Sequence, residues 1–188
     1  MRISAWLTLI LFVLRCGIGW IEIKTSIESS YLLKCCYLLF GYAGEAIGIA
    51  AVLMCVFNNW AWRWGPINKV TGQMPIFSKR YKGTLSFEMN GVIQTRNSNL
   101  EIDQTFLNIK VRLRTNESAS QVIRASVEEI HNEKQLLYMY INEPKAELRS
   151  KSPMHYGTAM LRVVSPEKIS GNYYTDRLTR GSMEFTAE

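Results

Sequence analysis

The sequence predicts two unlike parts in one chain: a two-helix transmembrane hairpin, then an all-β domain of seven or eight short antiparallel strands closed as a sandwich or barrel. Three observations carry this reading. Long apolar runs are concentrated in the first third of the 188 residues. From about Gly65 onward, apolar and polar residues instead alternate with period two between turn residues. All four cysteines, Cys16, Cys35, Cys36 and Cys55, lie in the apolar third, so the β domain has no disulfide framework and suits a reducing compartment. The expected boundaries are 1–64 for the hairpin, 65–80 for a linker and 81–188 for the β domain.

The first span covers about residues 3–23, roughly 21 residues or about 31 Å of helix, which matches the hydrocarbon core of a bilayer. A cleaved signal peptide competes with it. However, a second apolar run follows at about 35–57, and Trp20-Ile21-Glu22 makes a poor cleavage site. Trp6 and Trp20 bracket the first span and Trp60, Trp62 and Trp64 follow the second, where amphipathic rings favour the headgroup layer. Arg2, Arg63, Lys69, Lys79, Arg80 and Lys82 flank the side shared by both termini, against Lys24 and Lys34 in the connecting loop. The positive-inside rule therefore puts both termini and the β domain in the cytoplasm, and the chain in a membrane as a multi-pass protein.

Two ionisable residues, Arg15 and Glu45, fall inside the spans at comparable depth, where an unpaired charge is expensive, and they are expected to pair within one chain or between neighbours. Gly41, Glu45 and Gly48 share a face of the second helix with Gly44 beside them. Such a small-residue face suits close helix contact, either inside a static hairpin or in assembly of several chains. Cys35 and Cys36 read as apolar packing, with an intermolecular disulfide as the alternative.

In the β domain the clearest strands are 81–89, 104–114, 120–130, 135–142, 156–164, 168–177 and 180–186. Turns are expected at Asn90-Gly91, Asn97-Ser98-Asn99, Asn116-Glu117-Ser118, His131-Asn132-Glu133 and Ser165-Pro166-Glu167. Alternation puts Leu107, Ile109, Val111 and Leu113 inward. It also groups Ile169, Gly171, Tyr173, Thr175 and Arg177 on one face, then Thr179, Gly181, Met183 and Phe185. A face that begins apolar and ends in Tyr173, Thr175 and Arg177 could line the mouth of a cavity. There the planar guanidinium would suit phosphate or carboxylate. The alternative is that Arg177 is solvated at a strand end or paired with Glu184. Tyr81 shares a face with Gly83, Leu85 and Phe87, either as core or as a stacking surface.

The remaining chemistry is sparse. His131 and His155 are the two histidines and lack partners at ligand spacing, so neither a metal site nor a cofactor is expected. Phosphate-loop, dinucleotide, G-x-S-x-G and H-E-x-x-H patterns are missing, which disfavours an enzyme. The formal net charge of +6 permits an anionic ligand or lipid surface without forming the concentrated stripe of a DNA or RNA groove.

The two-helix start, the aromatic linker, the Tyr81-Lys82-Gly83 opening and the closing I-S-G-N-Y-Y-T-D-R-L-T-R-G-S-M-E-F run from Ile169 to Phe185 carry a family resemblance. In these features the chain resembles the SMODS-associated two-transmembrane, β-strand-rich effectors of bacterial CBASS antiphage defence. The resemblance implies a compact eight-stranded antiparallel, up-and-down-like barrel that senses a cyclic di- or trinucleotide made by a partner nucleotidyltransferase. It further implies that ligand binding drives oligomerisation of the helices, disruption of the inner membrane and death of the infected cell. It assigns ligand contact to Tyr81, Tyr173, Thr175 and Arg177, with Arg112 and Tyr138 as weaker assignments because alternation turns them outward. The rival reading is a membrane-tethered barrel that carries a lipid or other apolar ligand.

Overall fold

A computed structural model describes residues 2–28, 31–89, 91–150 and 152–188. Asn90 of the expected Asn90-Gly91 turn, and the side chain of Arg2 used for orientation, lie outside the described set. The chain divides into two compact units, residues 1–62 and 63–188.

The first unit is helical: α1 (Arg2–Ile18), α2 (Trp20–Glu28) and α3 (Leu32–Asn59). At 28 residues, α3 is long and apolar enough to cross a membrane. The expected straight span over 3–23 needs correction. α1 and α2 meet the same test only as a pair bent by 65°. The bend falls at Gly19, where a Cβ would lie 2.3 Å from the Tyr42 hydroxyl, so the ring of α3 occupies the space a side chain would need.

Beside that bend, Arg15 Nε donates to Glu45 Oε2 at 2.6 Å, and the guanidinium lies 4.0 Å from the centre of the Tyr42 ring. Tyr42 in turn donates to Glu22 Oε2 at 2.8 Å. The Arg15–Glu45 pair therefore forms within one chain, and two further α1–α2 and α3 residues extend it into a polar chain. On α3, Tyr42, Ala46 and Ala50 are buried at four-residue spacing and the helix packs on α1. Gly41, Gly44 and Gly48 are not part of that packing: a Cβ on any of them would meet nothing within 4 Å. The four cysteines are unbridged.

The second unit begins with a short helix α4 (Gly65–Val70) and continues as eight strands. These are β1 (Arg80–Met89), β2 (Val92–Gln104), β3 (Ile109–Thr115), β4 (Ser118–Ile130), β5 (Glu133–Pro144), β6 (His155–Ser165), β7 (Lys168–Thr175) and β8 (Arg180–Ala187). Each strand pairs antiparallel with the next, and β8 returns to β1, closing an up-and-down barrel with no free edge. Short turns make this possible. His131 and Asn132 both have positive φ, as a two-residue hairpin requires, and Gly91 turns β1 into β2 at φ +79°.

Two expectations fail here. Asn97-Ser98-Asn99 is not a turn but the middle of β2, paired with Thr84, Gly83 and Lys82 of β1. Leu107 is not inward, because β2 ends at Gln104 and β3 begins at Ile109, leaving Leu107 exposed in the connection.

Eight strands enclose a space just wide enough for side chains to fill or for one small ligand. Most of it is filled: Leu100, Leu136, Leu161 and Ile169 have no exposed surface, and Tyr138, Met183 and Phe185 pack among them. One end is closed by the segment that enters the barrel. The buried Gln104 amide donates to Pro75 O at 2.9 Å and accepts from Phe77 N at 3.1 Å, seating Phe77 in the core. At the same end, Tyr81 Oη donates to Pro166 O at 2.6 Å and accepts from Ser78 N at 2.9 Å. The opposite end, rimmed by the β1–β2, β3–β4, β5–β6 and β7–β8 connections, stays open.

Candidate functional site

The open end holds a cavity of about 460 Å³, inside the usual range of about 300–1,000 Å³ for small-molecule sites. Its lower wall is apolar and aromatic: Leu85 and Phe87 from β1, Leu113 from β3, Tyr140 from β5 and Tyr173 from β7. Polar groups gather above them: Arg96, Thr115, Glu117, Asn142, Ser152, His155, Thr175 and Arg177. The pattern follows from strand parity. Along β7 the inner face passes from Ile169 through Gly171 and Tyr173 to Thr175, so one face is core at one end and cavity at the other.

Small residues give the two tyrosines their space. A Cβ at Gly157 would lie 2.3 Å from the Tyr140 ring, and one at Gly181 would lie 2.6 Å from the Tyr173 ring. Both phenols are held above their ordinary pKa, chiefly by burial, which disfavours the phenolate. For Tyr173 the positive charge of Arg96 offsets part of that effect. Near neutral pH both hydroxyls are therefore protonated, offering a donor beside a π face.

Arg177 lies in the turn after β7, fixed from below by Thr175. The Thr175 backbone N–H donates to Thr179 O at 3.0 Å, its hydroxyl accepts from Thr179 N at 3.2 Å, and Leu178 adopts φ 62°. From there the Arg177 guanidinium donates to Ser152 Oγ at 2.9 Å on the β5–β6 connection, not to Glu184.

Of the six residues assigned to ligand contact, the structure brings together Tyr173, Thr175 and Arg177. Tyr81 is about 20 Å away along β1, six residues below Phe87, buried with both hydroxyl contacts made by backbone. Arg112 lies on the outer wall, paired with Glu101 at 3.1 Å. Tyr138 is not outward as expected: Leu136, Tyr138 and Tyr140 share the inner face of β5, and Tyr138 is fully enclosed with its hydroxyl 3.6 Å from Met183 Sδ. It lies below the cavity.

Sequence reasoning missed Arg96, Glu117 and Tyr140. Arg96 shares the even-numbered inner face of β2 with Ser98, Leu100 and Ile102, a parity legible only once β2 is recognised as a strand. Its guanidinium pairs with Glu117 at 2.5 Å and lies 4.9 Å from the Phe87 ring centre. Among the described residues no three His, Cys, Asp or Glu side chains gather as metal ligands.

The arrangement combines aromatic faces for a base, hydroxyls and amides for its edge, and two guanidinium groups for phosphate. The family model described as Cap15, cyclic dinucleotide receptor domain, matches residues 73–187, which takes in all eight strands. CD-NTase-associated protein 15 of Staphylococcus schleiferi is 29% identical over 189 residues, covering 97% of this chain and 92% of that protein. With the family match spanning more than half of its length, this chain belongs to the Cap15 family.

Proposed function

We propose that this chain is a non-enzymatic CBASS effector whose barrel binds a cyclic dinucleotide in the mouth cavity and whose helices then assemble and disrupt the bacterial inner membrane. The observation that carries the binding step is the cavity itself. Two guanidiniums, Arg96 on the inner face of β2 and Arg177 at the rim, line the same cavity as Tyr140 and Tyr173 in the barrel that the receptor-domain family covers. Tyr173, Thr175 and Arg177 are the ligand contacts we carry forward from the sequence. The relative's name associates it with a CD-NTase, which supports pairing of this chain with a nucleotidyltransferase that makes the ligand.

The membrane step rests on α3 and on the open glycine face. Gly41, Gly44 and Gly48 are unused by packing inside the chain, which supports contact between copies, while Arg15 and Glu45 hold the hairpin together. On this reading both termini and the barrel face the cytoplasm. A ligand can drive assembly only if it binds the assembled state more tightly than the separate chains. The packed interior below the cavity disfavours the lipid-carrier reading, since Leu100, Leu136 and Leu161 leave no channel for an acyl chain.

The test is a titration of the full chain in detergent with cyclic di-AMP, cyclic di-GMP, cyclic GMP–AMP and a cyclic trinucleotide. Saturable binding of at least one cyclic dinucleotide is expected; none by any of the four refutes the proposal.

A further inference from the structure

The two arginines of the cavity are held differently. Among the described residues, Arg177 donates its side-chain hydrogen bond to a neutral hydroxyl, that of Ser152. Arg96 meets a carboxylate: its Nη1 is 2.5 Å from Glu117 Oε2, with Phe87 beneath the guanidinium. Glu117 and Arg96 both line the cavity, on the β3–β4 turn and the inner face of β2 respectively. A charged oxygen of the protein itself thus occupies the position over Arg96 that a ligand phosphate would take.

The backbone around Glu117 is fixed while its side chain is free to leave. Its N–H donates to Thr115 Oγ1 at 3.2 Å, and its carbonyl accepts from Lys145 N at 2.9 Å. The side chain is 46% exposed, so its rotation carries the carboxylate into water without disturbing either bond. A half-exposed ion pair of this kind is weak and readily exchanged. A phosphodiester can meet the same guanidinium through two parallel N–H···O bonds in place of the carboxylate.

We infer that Glu117 is a built-in competitor of the ligand. In the empty barrel it neutralises Arg96, and the second phosphate of a dianionic ligand displaces it, while the first phosphate takes Arg177. The inference rests on the cyclic dinucleotide reading above and adds a specificity device to it. A ligand with one phosphate is satisfied by Arg177 alone and gains nothing from evicting Glu117. A ligand with two suitably spaced phosphates recovers the displaced pair as a stronger one. The device therefore keeps Arg96 from serving as a second site for a free mononucleotide, whereas a phosphate tethered to one already held by Arg177 displaces the carboxylate at a cost in affinity.

If the Arg96–Glu117 pair is formed about three-quarters of the time, as suits a weak, half-exposed ion pair, it lowers apparent affinity about fourfold, since only the open fraction binds. The experiment titrates the full chain in detergent with the four cyclic nucleotides above and with AMP and GMP. Glu117→Gln is expected to tighten the best cyclic dinucleotide by about fourfold, and Glu117→Ala to do the same should the amide keep a hydrogen bond to Arg96. Arg96→Gln is expected to weaken binding, and in that background Glu117→Gln has no further effect, the signature of a coupled pair.

The Tm of each variant checks that the barrel is intact. If the wild type binds but both Glu117 variants bind no more tightly, the competitor inference is overturned and the receptor reading stands. If the wild type binds none of the cyclic nucleotides, both are overturned.

Discussion

Tyr81→Phe separates a structural tyrosine from a ligand-binding one. The resemblance assigns Tyr81 to the ligand, whereas the structure puts it at the closed end with 1% of its surface exposed. Its hydroxyl joins Ser78 N to Pro166 O, at 2.9 and 2.6 Å, and so ties the entering segment to the β6–β7 turn. Removing it leaves an N–H and a carbonyl short of a partner in a partly buried place, at about 1 kcal/mol each and hence about 2 kcal/mol together. For a domain of this size that lowers Tm by about 6–10 °C.

All five tryptophans fall at or before Trp64, so tryptophan fluorescence would report mainly on the helices. Far-UV circular dichroism of the β signal is the suitable readout for the barrel. The variant should melt earlier yet bind the best cyclic dinucleotide within about twofold of wild type. An unchanged Tm with binding abolished would refute the argument, because it would put Tyr81 against the ligand and the site at the wrong end of the barrel.

Three further outcomes follow from the same geometry. Arg177→Ala should weaken ligand binding by about 30- to 160-fold, the loss of a charge-assisted contact of about 2–3 kcal/mol, without lowering Tm; affinity within threefold of wild type would remove Arg177 from the site. Gly48→Leu should preserve ligand binding and abolish membrane damage, since a Cβ there meets nothing within 4 Å inside the chain and the added bulk faces a neighbour; wild-type leakage would mean the open face is idle.

The third concerns pH. Burial holds the Tyr138 and Tyr140 hydroxyls well above the ordinary value near 10, so the folded barrel keeps protons that the unfolded chain releases. Their contribution is complete below pH 10 and is lost above it at about 1.4 kcal/mol per pH unit for each phenol. Tyr138→Phe should make the alkaline decline of stability shallower by that amount, and an unchanged slope in denaturant titrations from pH 9.5 to 11.5 would contradict the burial argument.

The barrel was legible because one period-two pattern recurs with turn residues at regular spacing, and eight such strands close. Where the pattern breaks, so did the reading. Asn97-Ser98-Asn99 has turn composition, but Ser98 is buried and its hydroxyl reaches Gly83 O at 3.4 Å, so pairing with β1 and β3 overrides local preference. Missing that strand hid Arg96, whose inward parity with Leu100 and Ile102 needs β2 to exist. In β5 the adjacent Leu136 and Leu137 leave parity ambiguous, and Tyr138 was turned outward. Hydropathy runs smoothly through Gly19 and hides the 65° bend, which depends on an aromatic ring arriving from α3. Arg15 and Glu45 were predictable as a pair because an unpaired charge at that depth is costly. That Tyr42 and Glu22 join them depends on tertiary geometry.

The claim at the centre of this account, that a cyclic dinucleotide in the barrel turns the helices against the membrane, is tested most directly in dye-loaded liposomes carrying the full chain. Adding the cyclic dinucleotide that binds best to the barrel-exposed side should release dye with a concentration dependence that tracks binding, and Arg177→Ala should shift that curve to higher ligand. Saturated binding with no release of dye would contradict the account.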